Sequence, residues 1–127
     1  VWIRDRSPDW RIAMQTGNLD LALLAAYKLS QNWDAKLRLI TIVDDPGELE
    51  KARDFLEKLI DLGRIPNATP IAEHGEFKDY VQQAPHADLN IFGLLPNPDF
   101  AFFRELVSTT ESSCVFVRDS GRESAIA

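Results

Sequence analysis

The residues best equipped for chemistry in this chain are few. They are the group Glu73, His74, Glu76 and Asp79, the adjacent carboxylates Asp44 and Asp45, the hydroxyl pair Ser112-Ser113 and the single thiol, Cys114. A metal centre or acid–base site would need the first group to converge. Its spacing matches no zinc pattern, and the second histidine, His86, has no partner in the sequence. Asp44 and Asp45 resemble paired carboxylates, but Asp45 stands before Pro46 and Glu48 and is explained as a helix cap. Ser112 and Ser113 belong to no G-x-S-x-G element. Cys114 opens an apolar run, where a small core residue is its simplest role. No nucleophile–base set emerges, so no catalytic residue, no metal site and no cofactor are expected.

Phosphate binding is the remaining chemistry to weigh. The stretch "IFGLLPNP", Ile91 to Pro98, follows a strand where nucleotide-binding α/β domains often carry a glycine-rich loop. It has one glycine, Gly93, and neither the G-x-G-x-x-G nor the G-x-x-x-x-G-K-[ST] pattern occurs. Pro96 and Pro98 remove two backbone N–H donors from any phosphate cradle. The turn reads as a stiff helix start.

The elements that must position these residues follow from periodicity. Val1-Trp2-Ile3 is a short strand, and "RSPDWRIAMQTGN" a long loop with Pro8 and Gly17. Asn18 is a good N-cap for the helix Leu19 to Ser30, with Asp20 near its positive end. That helix is apolar around most of its circumference, which predicts cover on more than one side. "KLRLITIV", Lys36 to Val43, is the clearest strand. Asp45, Pro46 and Glu48 start a second helix with Leu49, Ala52, Leu56, Leu59 and Ile60 at helical spacing, stopped by Gly63.

Ala68 to Glu73 is a third strand, and Pro70 assigns it to a sheet edge. A short helix, Glu76 to Gln83, precedes strand four, "DLNIFGL". Asn97 and Pro98 then start a fourth helix with Phe100, Phe103, Leu106 and Val107 on its inner face and Phe102 at the margin. Cys114 to Val117 is strand five. Strict alternation predicts one α/β domain over 1–119, a doubly wound five-stranded parallel sheet in the order 3-2-1-4-5, and a loose polar tail over 120–127. The strand ends bring Asp5, Asp44, Asp45, Glu73, His74, Gly93 and Asp119 to one edge, an acidic lining that suits a phosphate poorly.

Whole-chain properties narrow the partners. The chain has 127 residues, a formal net charge of −6 and a pI of about 4.8. That sign argues against nucleic acid and against direct adhesion to an anionic leaflet. One cysteine allows no internal disulfide. The longest apolar run, Leu21 to Tyr27, falls far short of the roughly 20 residues that span a bilayer. The start at Val1, inside a strand and without Met, reads as a piece of a longer protein.

The residues also carry a family pattern. "VWIRD", "GNLDLALLAAYKLSQNW" and "AKLRLITIV" resemble the C-terminal cytosolic domain of the cation–chloride cotransporters, through Trp2, Gly17, Leu19, Leu21, Leu24, Tyr27, Leu29, Trp33, Lys36, Leu37 and Arg38. "ADLNIFGLLPNP", a helix and "SCVFVRDSG" are similar to that family's ending. The middle, Asp44 to Ala87, is shorter than in animal members, so the chain looks like a prokaryotic relative. The resemblance implies a universal-stress-protein-like fold and a regulatory role with dimer assembly, on the cytoplasmic side of a membrane transporter. ATP-binding stress proteins use Gly-x-x-Gly after strand four, and "GLLPNP" departs from it. The alternative from another class is a stress-protein-like nucleotide sensor. Expected partners are the rest of the parent chain and a second copy in a weak homodimer, with Leu21, Leu24, Tyr27 and Phe102 as contact residues.

Overall fold

A computed structural model describes residues 1–4, 10–12, 18–120, 122, 125 and 126. The strands are β1 (Trp2–Ile3), β2 (Leu37–Val43), β3 (Ala68–His74), β4 (Leu89–Gly93) and β5 (Ser113–Val117). The helices are α1 (Asn18–Trp33), α2 (Leu49–Leu62), α3 (Phe77–Gln83) and α4 (Phe100–Thr110), with a 3-10 turn at Pro46–Glu48 before α2. All strand pairs are parallel and the order is β3-β2-β1-β4-β5, as alternation predicts. β3 carries Pro70 at the edge, where a missing N–H costs the ladder nothing.

Two cores result from the period-2 alternation of the strands. Val1, Ile3, Leu39, Val43, Ile91 and Val117 point to the layer of α1 and α2, with Leu23, Ala26, Phe55, Leu56 and Leu59 buried against them. Trp2, Ile40, Ile42, Phe92, Phe116 and Cys114 point to α3 and α4, with Val81 and Leu106. Trp2 is the hub of the second core. Its indole stacks on Phe92, with centroids 5.8 Å apart, and meets Phe77 edge-on at 5.5 Å. Its Nε1 donates to Asn90 Oδ1 at 2.9 Å, and Asn90 Nδ2 donates to Ser112 Oγ at 2.6 Å. A buried indole N–H is thereby satisfied, as packing against apolar surface requires.

Several local expectations need correction. Phe100 and Val107 do not face the core: Phe100 is 66% exposed and Val107 44%. The inner face of α4 is Phe102, Phe103 and Leu106, because Phe103 packs on Phe116 at 4.4 Å and Phe102 on Phe77 at 6.3 Å. The cap of α4 is Asp99, whose Oδ1 accepts from Ala101 N at 3.0 Å and Phe102 N at 3.2 Å, not Asn97. Glu48 is no capping-box acid; its carboxylate accepts from Trp10 Nε1 at 2.7 Å and Lys51 Nζ at 3.2 Å. Trp10, inside the segment read as loop, also packs edge-on against Phe55. After Gly63 it is Arg64 that takes the left-handed conformation, at φ 49°.

The helix α1 is covered on more than one side. Its Asp20, 1% exposed, accepts at Oδ1 from Ala125 N at 2.7 Å. Ala125 and Ile126 pack against the α1–α2 core, together with Leu21, Tyr27 and Leu29 of α1. At these two residues the polar tail lies against the domain, and an apolar helix gains its second cover there.

Candidate functional site

In a doubly wound sheet, ligands meet the carboxyl ends of the strands where the strand order reverses. Here that point lies between β1 and β4. A cavity of about 610 Å³ opens there. Its apolar walls combine the rings of Trp2, Phe77, Phe92, Phe102 and Phe103 with Ile3, Ile42, Leu95 and Leu106. Ala22 and Leu19 of α1 close it from the other layer, and Arg4, Asp44, Asn97 and Asp99 form its polar rim.

Of the strand-end residues expected to converge, Asp44 and Gly93 line this cavity. Asp45 turns away to cap the 3-10 turn, accepting from Gly47 N at 2.8 Å. Glu73 and His74 end the edge strand β3; His74 Nε2 is 3.1 Å from the Asp44 carbonyl oxygen, a backbone contact and no carboxylate–imidazole pair. Asp5 lies outside the described residues. Among the described residues, no three His, Cys, Asp or Glu side chains are grouped to hold a metal ion. Ser112 serves the Trp2–Asn90 network, and Cys114 Sγ stands 3.4 Å from Thr110 Oγ1 in the α4–β5 packing.

Gly93 has a packing role. A Cβ there would meet Asn18 Cβ at 3.1 Å, so the residue lets β4 pass close under the start of α1. Asn18 fastens that crossing. Its Nδ2 donates to the Leu94 carbonyl, and its Oδ1 accepts from Asp119 N at 2.7 Å. Its side chain is thus spent on the ends of β4 and β5, and the simple N-cap reading is corrected. A local cap signal carried no hint of partners so distant in the chain. At the other helix start facing the cavity, the Asp99 carboxylate occupies the Ala101 and Phe102 N–H groups that an anion would otherwise use. The turn from β4 to α4 is therefore held by its own side chains.

Of the four expected contact residues, Leu24 is 39% exposed on α1, while Leu21 and Tyr27 are partly buried against the first core. Phe102 sits in the second core beside Phe77 and Phe103, with the Lys78 ammonium 5.7 Å from its ring centre. An exposed ring that sequence reasoning places in the core is Phe100, which meets Phe103 edge-on at 5.9 Å.

Comparison with known proteins adds to this geometry. Residues 1–126 match the family described as prokaryotic cation-chloride cotransporter, C-terminal domain, 2nd. No curated protein matches the chain. A solved crystal structure, of the cytoplasmic domain of a prokaryotic cation chloride cotransporter, is 41% identical and superposes with a TM-score of 0.87. The match covers 98% of this chain and 47% of that one, so this chain spans about half the length of that relative. With the family matched over residues 1–126 and 41% identity to the solved domain over 98% of this chain, the chain belongs to the prokaryotic cation–chloride cotransporter family, as the second part of its C-terminal domain.

Proposed function

We propose that this chain is a non-catalytic regulatory and assembly domain on the cytoplasmic side of a cation–chloride cotransporter. It docks on the remaining part of that transporter's cytoplasmic region, and in isolation it self-associates weakly. The observation that carries this reading is the outward face of α4. Phe100 and Val107 lie two turns apart on one side of the helix and leave large apolar surface in water. The ring of Phe100 is braced by Phe103, so the face is presented rigidly. A relative whose chain is about twice as long supplies the natural occupant: the other half of the same cytoplasmic region. Leu24 on α1 offers a second, smaller contact.

Tethering explains why such a face need not bind tightly by itself. Apolar burial contributes about 25 cal/mol per Å², and lost rigid-body freedom offsets much of it. Within one chain the effective concentration of the docking partner is high, and modest contact suffices. The test is Phe100→Asp combined with Val107→Asp in the full-length transporter. The expected result is easier proteolytic separation of the two cytoplasmic halves and altered transport rate, with normal membrane insertion. Unchanged proteolysis and unchanged transport would refute the docking role.

A further inference from the structure

The ring-lined crevice at the strand ends is not used by the docking reading. We propose that it binds a neutral, planar aromatic molecule of one or two fused rings, and that it discriminates against phosphorylated ones. At about 610 Å³ it has the size of a small-molecule site. Its walls are held open by their own packing. Trp2 is fixed between Phe92 and Phe77, Phe77 touches Phe102, and Phe102 touches Phe103. A slot whose rings already support one another does not collapse when empty, so the entropic cost of forming it has been met on folding. Trp2 and Phe92 are themselves buried, and the half-buried rings of Phe77, Phe102 and Phe103 present edges and faces at fixed angles that favour a flat aromatic guest over a flexible aliphatic one.

The rim sets the charge of the guest. Among the described lining residues Arg4 stands against Asp44 and Asp99, and the Asp99 carboxylate is bound by the first-turn amides of α4 and partly offset by that helix's positive end. Such a rim suits a guest that both donates and accepts hydrogen bonds and carries no net charge. A phosphate fails on three counts. The α4 amides that would receive it are already capped, Pro96 and Pro98 offer no N–H, and Asp44 repels it.

The experiment is a titration of the 15N-labelled domain with indole and, separately, with magnesium-ATP. Indole is expected to give saturable shifts at the amides of Gly93, Leu95 and Phe102 and none along β3, and to bind more tightly than ATP. Ala22→Leu, which pushes a larger side chain into the crevice, is expected to weaken indole by about tenfold or more, equivalent to about 1.4 kcal/mol. Absence of saturable shifts at those amides, or tighter binding of ATP than of indole, would overturn the proposal. So would unchanged indole affinity in a folded Ala22→Leu. If a thermal melt shows that this variant does not fold, the wild-type shift map and the order of the two ligands decide alone.

Discussion

Asn18 Oδ1 accepts the backbone N–H of Asp119 at 2.7 Å, joining two residues 101 positions apart. The same amide donates through Nδ2 to the Leu94 carbonyl, so one side chain ties the start of α1 to the ends of both β4 and β5. The two roles open to Asn18 respond differently to one substitution. Aspartate is as good an N-cap as asparagine, and its charge suits a helix start. If Asn18 were only a cap, Asn18→Asp would be neutral. As a staple, Asn18→Asp loses the donor and sets a carboxylate against the Leu94 carbonyl. The expected loss is about 1–3 kcal/mol, read from urea unfolding midpoints. Stability equal to the parent chain would return Asn18 to a capping role.

Gly93 is predicted to tolerate no side chain. Its backbone requires no left-handed conformation, so the constraint is the 3.1 Å approach to Asn18 Cβ. That neighbour is fixed to the helix backbone and has little room to give. Gly93→Ala should cost about 1–3 kcal/mol through forced movement of α1, and Gly93→Val should cost more. Equal melting temperatures for the glycine and alanine forms would show that the layers separate freely.

The two phenylalanines Phe100 and Phe103 should behave in opposite ways. Phe100→Ser removes a ring that is mostly in water, and folding stability should change by no more than about 0.5 kcal/mol. Phe103→Ser removes a half-buried ring packed 4.4 Å from that of Phe116 and should cost about 1–3 kcal/mol. Chemical denaturation of both variants measures the contrast. A destabilising Phe100→Ser would place that ring in the core after all.

The contrast also shows what could be read from the sequence. Strand–helix alternation and the edge-placing Pro70 determine the sheet order, because each is a local feature with one topological consequence. The phase of α4 is different. Its eleven residues carry two overlapping apolar stripes, one through Phe100, Phe103 and Val107, the other through Phe102, Phe103 and Leu106. Periodicity permits both. The rings of Phe77 and Phe116, which lie on other elements, select the second. The strand-end crevice was legible as a place. Its ring lining was not, since Trp2, Phe77, Phe92 and Phe102 meet only after the sheet is formed. The dual bonds of Asn18 and the burial of Asp20 under Ala125 were hidden for the same reason.

The last prediction concerns pH in a chain cut so that it begins with a free amine at Val1; in a longer chain Val1 carries a peptide N–H and does not titrate. Val1 holds a ladder position beside β2: its amine donates to the Arg38 carbonyl at 2.8 Å, and its carbonyl accepts from Ile40 N at 2.9 Å. Burial, aided by the Arg38 charge, lowers the amine's pKa from 8.0 to about 5. Between these values the unfolded chain binds a proton that the folded chain does not, so stability must rise with pH across the window. A chain with a free Val1 amine therefore loses stability as pH falls from about 8 to about 5, by an amount on the order of 4 kcal/mol. Below that window both states carry the proton and this contribution no longer changes. Acetylating Val1 keeps an N–H for the Arg38 carbonyl and removes the charge. The difference in unfolding free energy between acetylated and free chains should therefore be small at pH 8 and large at pH 5. Every other titrating group is common to both chains and cancels in that difference. A difference independent of pH would mean that the amine reaches water in the folded domain.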